Sequence, residues 1–408
     1  MQRIPLSASA GEVDDIEEDG AMQIKLGSKR LPRMSALLRH MGTWFLFVTM
    51  GMVIGGYISL QTGMITLENG IALQQAPVPW DPKCDALLGK LDKDGHRIVG
   101  SGMCVSHEKT FATRLSETSL NFLVIGDWGR DGMCCQRDTA YEMASAANAT
   151  NASFVISTGD NFYGSGITEA TATQVETSWA NVYNYSSLNV TWYSTLGNHD
   201  WISNHEAEFE ISKLHPNWYQ PTRYYNKSFR ENGVALDIVF LDTTPMLKSS
   251  EGIEADKKFL EDNKLTSDNY IEEQVEFLRK TFSNNDSKAW RLVVGHHPVY
   301  TSAAHYEEDH KTLREKLRPA LEELKVNAYI CGHDHAVEWH KPDDGTVEYF
   351  LSGAGSQTRR DMFIEDTGFK FHSGEAGAFA SISVTSNHFR VQFIDFHGNI
   401  LLERQLSK

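Results

Sequence analysis

The chain has 408 residues, with 38 Lys+Arg against 54 Asp+Glu for a formal net charge of −16, and 41% of it is hydrophobic. That balance suits a globular protein with a real core and excludes a largely disordered one. The acidic excess argues against a surface that grips nucleic acid phosphates, and five cysteines are too few for a disulfide-stapled mini-domain.

Residues 1–40 read as a cytosolic tail, and the acidic run EVDDIEED at 12–19 reads as a solvated segment with no apolar face to bury. The mean hydropathy of −0.38 conceals an apolar stretch beyond the tail. Residues 41–67 contain no charged side chain and include WFLFVTMGMVIGGYISL, long enough to cross a hydrocarbon core of about 30 Å. The run starts too far into the chain, and is too long, for the apolar region of a cleaved signal peptide. Lys25, Lys29, Arg30, Arg33 and Arg39 precede it, which predicts a single-pass type II anchor with residues 68–408 extracellular or in a lumen. Gly51 and Gly55 form one GxxxG pair, a weak basis for a homodimer.

Residues 68–118 read as a stalk, with turn chemistry in APVPWDP and little periodicity. Cys84 and Cys104 within it could pair in an oxidising compartment. Six N-x-S/T sites lie beyond the span, at Asn148, Asn151, Asn184, Asn189, Asn226 and Asn285, and are candidate glycosylation acceptors. From 119 to 408 short apolar runs alternate with helical patterns at 137–147, 270–282 and 310–324, which predicts an α/β domain. The segment 245–269 is long, charged and poor in core residues, and reads either as a solvated insertion or as a functional loop.

Five apolar runs end in Gly and then a metal-capable side chain: NFLVIG-Asp127, SFVISTG-Asp160, WYSTLG-Asn198, RLVVG-His296 and AYICG-His333. Open α/β sheets bind ligands at the carboxyl ends of their strands, so each run delivers its polar group to one edge. With Tyr163 and His335, the donors are two carboxylates, a phenol, an amide and three imidazoles. Seven ligands suit two ions sharing a bridging carboxylate. Three histidines argue against calcium, and the lack of nearby thiolates argues against closed structural zinc.

In this order the blocks GDWG, GDNFY, GNHD, GHHPV and GHDH resemble those of the purple acid phosphatases, of the small tartrate-resistant type, within the calcineurin-like metallophosphoesterases. The resemblance covers about 120–408, and Tyr163 separates this pattern from relatives outside the purple group. It implies a four-layer αββα sandwich with a binuclear metal site at the carboxyl ends of the strands. It further implies a ferric ion on Asp127, Tyr163 and His335, a divalent Fe, Zn or Mn ion on Asn198, His296 and His333, and Asp160 bridging them. The implied activity is acid hydrolysis of phosphate monoesters, small or on phosphoproteins, by a metal-activated water. His199 would protonate the leaving group and His305 would face the substrate. His297 departs from the tyrosine usual in the small type and reads as a packing change; Asp334 is placed to orient a ligand histidine. Two other readings stay open: a phosphodiesterase or nucleotidase on the same fold, and a non-catalytic membrane receptor built on it.

Overall fold

The structure, a computed structural model, describes residues 59–61, 64–66, 113–116, 118–247, 254–283, 288–303, 307–359 and 368–408. The chain divides into two units, 1–80 and 81–408. In the first, β1 (Ser59–Gln61) pairs antiparallel with β2 (Met64–Thr66), with Ser59 opposite Thr66. These six residues belong to the run expected to span a membrane, and they are extended rather than helical. The rest of that expected span, Gly51, Gly55, Cys84, Cys104, Asn285 and His305 lie outside the described residues. Among the described residues, no helix is long and apolar enough to cross a membrane.

The second unit holds two seven-stranded sheets. The first is built from β3 (Leu120–Ile125), β4 (Phe154–Ser157), β5 (Thr191–Ser194) and β6 (Trp218–Tyr219), all parallel. The chain builds the second sheet next: β7 (Tyr225–Glu231), β8 (Val234–Phe240), β9 (Trp290–Val294), β10 (Ala328–Cys331), β11 (Val337–His340), β12 (Glu348–Ser352) and β13 (Phe369–Ser373). It then returns to the first sheet as β14 (Ala378–Val384), β15 (His388–Asp395) and β16 (Ile400–Ser407). Strand orders are β16-β15-β14-β3-β4-β5-β6 and β13-β11-β12-β10-β9-β8-β7. β8, β9, β10 and β12 run parallel, and antiparallel strands close the edges.

Alternation along the strands explains the layering. In β3, Leu120, Phe122 and Val124 face a core shared with Ile238, Phe240, Leu292, Val294 and Ile330 of the other sheet. Leu123 and Ile125 point the other way, onto α1 (Gln136–Thr150) through Ala140, Met143 and Ala147. On the far sheet, Val239 and Val293 pack under Tyr270, Val275 and Leu278 of α5 (Ser267–Phe282). Because both faces of each central strand are buried, the strands read as continuous apolar runs rather than polar-apolar alternation. The outcome is the expected four-layer helix–sheet–sheet–helix sandwich. Replacing Phe122, fully buried between the sheets, with Ala removes about 3–5 kcal/mol.

Three expectations change in detail. The helix over 310–324 is two helices, α6 (Glu307–Lys316) and α7 (Arg318–Glu323), because Pro319 sits in the first turn of the second and has no N–H to continue the first. Leu313, Leu317 and Leu321 remain buried across the break. The stretch SISVTSNHFRVQFIDFHGNILLE reads as a closing pair of strands but runs through three, β14, β15 and the start of β16 at Ile400. The segment 245–269 is not a bare loop: it contains α4 (Glu254–Asp262). Phe259 of α4 lies 5.3 Å from the Trp201 ring and 4.4 Å from the Arg223 guanidinium carbon, and Asp256 is buried.

Candidate metal centre

Five loops at the carboxyl ends of β3, β4 and β5 in one sheet and β9 and β10 in the other carry the candidate ligands. Asp127, Asp160 and His333 adopt left-handed backbone, with φ of 59°, 51° and 75°. Such a conformation costs a non-glycine residue on the order of 1–3 kcal/mol, and it aims each side chain inward. The preceding glycines leave room for this. A Cβ on Gly197 would lie 2.1 Å from Asp160 Oδ1, and one on Gly332 would lie 2.5 Å from Asp127 Oδ2. A side chain at either position would occupy the space of a ligand oxygen.

The donors converge in two groups. In the first, Tyr163 Oη lies 3.1 Å from Asp127 Oδ1, 2.9 Å from Asp160 Oδ2 and 3.0 Å from His335 Nε2. One phenolic proton faces two carboxyl oxygens and an imidazole nitrogen, a cluster of donor atoms that a cation at their centre would satisfy. In the second, Asn198 Oδ1 lies 2.9 Å from His296 Nε2 and 3.1 Å from His333 Nδ1, and His296 Nε2 is 3.4 Å from Asp160 Oδ1. His296 Nδ1 donates to the Thr158 carbonyl at 2.9 Å, so its Nε2 carries a lone pair facing two more oxygen lone pairs. Asp160 thus offers one oxygen to each group. The donor chemistry fits two ions, the first harder than the second.

The surroundings hold the ligands in place. The His333 N–H donates to Asp127 Oδ2 and the His199 N–H to Asp160 Oδ1. Burial and the neighbouring Asp160 push the Asp127 carboxyl well above its ordinary range. Burial also raises Asp160, but His296 and His199 outweigh it and hold that carboxyl low. Burial, then Asp127 and Asp160, drive the Tyr163 phenol up. Burial lowers the pKa of His296 and of His335, with Arg359 and Arg130 adding to the effect at His335. Neutral imidazoles are the ligating form.

The remaining histidines differ in role. His199 follows candidate ligand Asn198 in α2 (Asn198–Ile202), its ring 4.4 Å from that of Tyr163. Its Nδ1 donates to the Gly164 carbonyl at 2.6 Å, which leaves Nε2 as the end turned to the site, 4.0 Å from Asp160 Oδ2. His297 is buried, bonded to Thr243 Oγ1 at 2.8 Å, and its ring lies 4.5 Å from His333. It packs inside the ligand shell, where nitrogens of His296, His297 and His333 all fall within 4.8 Å of one another. Asp334 accepts from Thr301 Oγ1, which ties the loop after β9 to GHDH.

Sequence reasoning missed two contributors. Asp200 accepts the backbone N–H groups of Gly197, Asn161 and Phe162 at 2.8, 2.9 and 3.1 Å, and so binds the GDNFY and GNHD loops together. Its signal is an acid three residues after Gly197, where first-turn N–H groups need an acceptor. Arg130 places its guanidinium carbon 3.6 Å from the centre of the Tyr163 ring. Of the six N-x-S/T asparagines, Asn148, Asn151, Asn184, Asn189 and Asn226 are exposed.

The calcineurin-like phosphoesterase family profile matches residues 120–337. Purple acid phosphatase 17 of Arabidopsis thaliana is 33% identical over 300 residues, covering 72% of this chain and 86% of that protein. Tartrate-resistant acid phosphatase type 5 of Oryctolagus cuniculus is 32% identical over 309 residues, covering 71% and 91%. Among solved structures, GAP50, the anchor in the inner membrane complex of Plasmodium, superposes with a TM-score of 0.59 at 22% identity, covering 71% of this chain and 89% of that one. That last likeness concerns the fold.

Proposed function

The chain belongs to the calcineurin-like phosphoesterase family, with purple acid phosphatases as its relatives, and on that premise we propose an acid phosphatase that hydrolyses phosphate monoesters at an iron-containing binuclear centre. The observation that supports it most is the convergence of all seven donors into two groups joined by Asp160. Asp127, Tyr163 and His335 would hold Fe(III), since phenolate and carboxylate are hard donors. Asn198, His296 and His333 would hold a divalent Fe, Zn or Mn ion. When bound, the two ions supply an acidified water as nucleophile and neutralise phosphate charge.

The chain's own residues do the rest. Asp160 fixes the spacing of the two groups, and Asp200 fixes the loops that carry Tyr163 and Asn198. His199 presents Nε2 beside Asp160, placed to give a proton to the departing ester oxygen while Gly164 holds Nδ1. His305, nine residues after His296, would face the substrate, as the resemblance to the small purple acid phosphatases implies. The uncharged run 41–67 and the bases before it support a type II membrane anchor for this domain; resistance of the full chain to alkaline carbonate extraction from membranes tests that part.

The catalytic reading is tested by hydrolysis of p-nitrophenyl phosphate against bis(p-nitrophenyl) phosphate across pH 4–8. Monoester turnover in acid well ahead of diester turnover is expected. A diester preference would replace the reading with a phosphodiesterase.

A further inference from the structure

Arg130 lies immediately after GDWG, and no step of the proposed reaction uses it. Its backbone is fixed: its N–H donates to Trp128 O at 2.8 Å, and its carbonyl accepts from Met133 N–H at 2.8 Å. The adjacent Gly129 carbonyl accepts the Tyr163 N–H at 2.9 Å, so the turn bearing Arg130 is tied directly to the residue beneath its side chain. The guanidinium carbon then sits 3.6 Å from the Tyr163 ring centre. Its Nε is buried without an acceptor among the described residues. A desolvated guanidinium N–H with no partner is costly. The aromatic face is what holds it there.

The Tyr163 phenol oxygen lies 3.1 and 2.9 Å from carboxyl oxygens of Asp127 and Asp160, so the ring face is the side of the phenol left for a cationic side chain. Arg130 is a cation that approaches the ring without competing for the oxygen. A cation over the ring face attracts the ring's electrons and leaves the oxygen free for its own partners.

We propose that Arg130 is a positioning residue for the metal centre, its guanidinium lying on the Tyr163 face to hold the ring in place and lower the energy of its electrons. The inference rests on the assignment of Tyr163 to iron. With iron bound, those ring electrons would be the ones promoted to Fe(III) in a visible charge-transfer band, so Arg130 would shift the band and help retain the ion.

The test compares the iron-loaded full chain with Arg130→Gln, which removes the charge, and Arg130→Lys, which keeps it. Each is read by its visible absorption maximum and by iron retained during dialysis against a chelator. Arg130→Gln is expected to move the maximum to longer wavelength by roughly 10–20 nm, the size expected of one cation–π contact, and to lose iron several-fold faster. Arg130→Lys should fall between it and the unmodified chain. Superimposable bands and equal iron loss for Arg130→Gln would overturn the proposal. Equal shifts in both variants would also overturn it, because packing rather than charge would then be responsible. If Arg130→Gln does not fold, an Arg130→Lys band shifted partway supports the proposal and an unshifted one overturns it. An iron-loaded unmodified chain without any visible band is a different failure: it removes the Tyr163–iron assignment itself.

Discussion

Glu338 in β11 is fully buried and accepts three hydrogen bonds: from His340 Nε2 at 2.7 Å, His372 Nδ1 at 2.8 Å and the Ser302 N–H at 2.9 Å. Burial alone would raise its pKa, but the two histidines outweigh it and hold the carboxyl down to about 2, against an ordinary 4.5. A depressed acid contributes stability above its unfolded pKa and loses it as pH falls toward the folded value. Holding the carboxyl at about 2 rather than 4.5 amounts to about 3 kcal/mol at pH 6 and a little under half of that at pH 3. Glu338→Gln keeps the shape and removes the charge. At about 2–4 °C per kcal/mol for a domain this large, its melting temperature should lie about 6–12 °C below the unmodified chain at pH 6. The gap should halve by pH 3. Thermal unfolding by circular dichroism across that range measures it. A gap that stays constant or widens toward pH 3 would refute the reasoning, since the stabilisation would not then depend on ionised Glu338.

Other substitutions separate metal binding from chemistry. His333→Ala should lose bound metal and phosphatase activity together, measured by elemental analysis beside an ester assay. His199→Ala should keep both ions yet slow esters with poor leaving groups by about 10²–10⁴-fold, with activated aryl esters affected least; uniform slowing would count against the proton-donor role. Gly197→Ala places a Cβ 2.1 Å from Asp160 Oδ1, so overpacking of about 1–3 kcal/mol and weaker metal retention should appear together in thermal unfolding and dialysis.

The site was legible because its chemistry is local to strand ends. A glycine followed by Asp127, Asp160, Asn198, His296 or His333 after a β run needs no long-range information to be read as one edge. The four layers became readable through resemblance, since continuous apolar strands say that both faces are buried but not by which elements. The features that escaped depended on tertiary partners. Helix α4 looks too polar to pack, yet Phe259 fastens it to Trp201 and Arg223. Leucine spacing from 313 to 324 suggested one helix because all the leucines face one core, while Pro319 breaks the backbone beneath them. Arg130 gave no signal, because its partner is an aromatic face 33 residues away in sequence.

The central claim is that these seven residues hold two ions, one of them iron on Tyr163. Metal analysis with a visible spectrum on the purified full chain and on Tyr163→Phe tests it most directly. Two ions per unmodified chain are expected, one of them iron, with a visible band that disappears in Tyr163→Phe. A colourless, iron-free preparation with full phosphatase activity would contradict it.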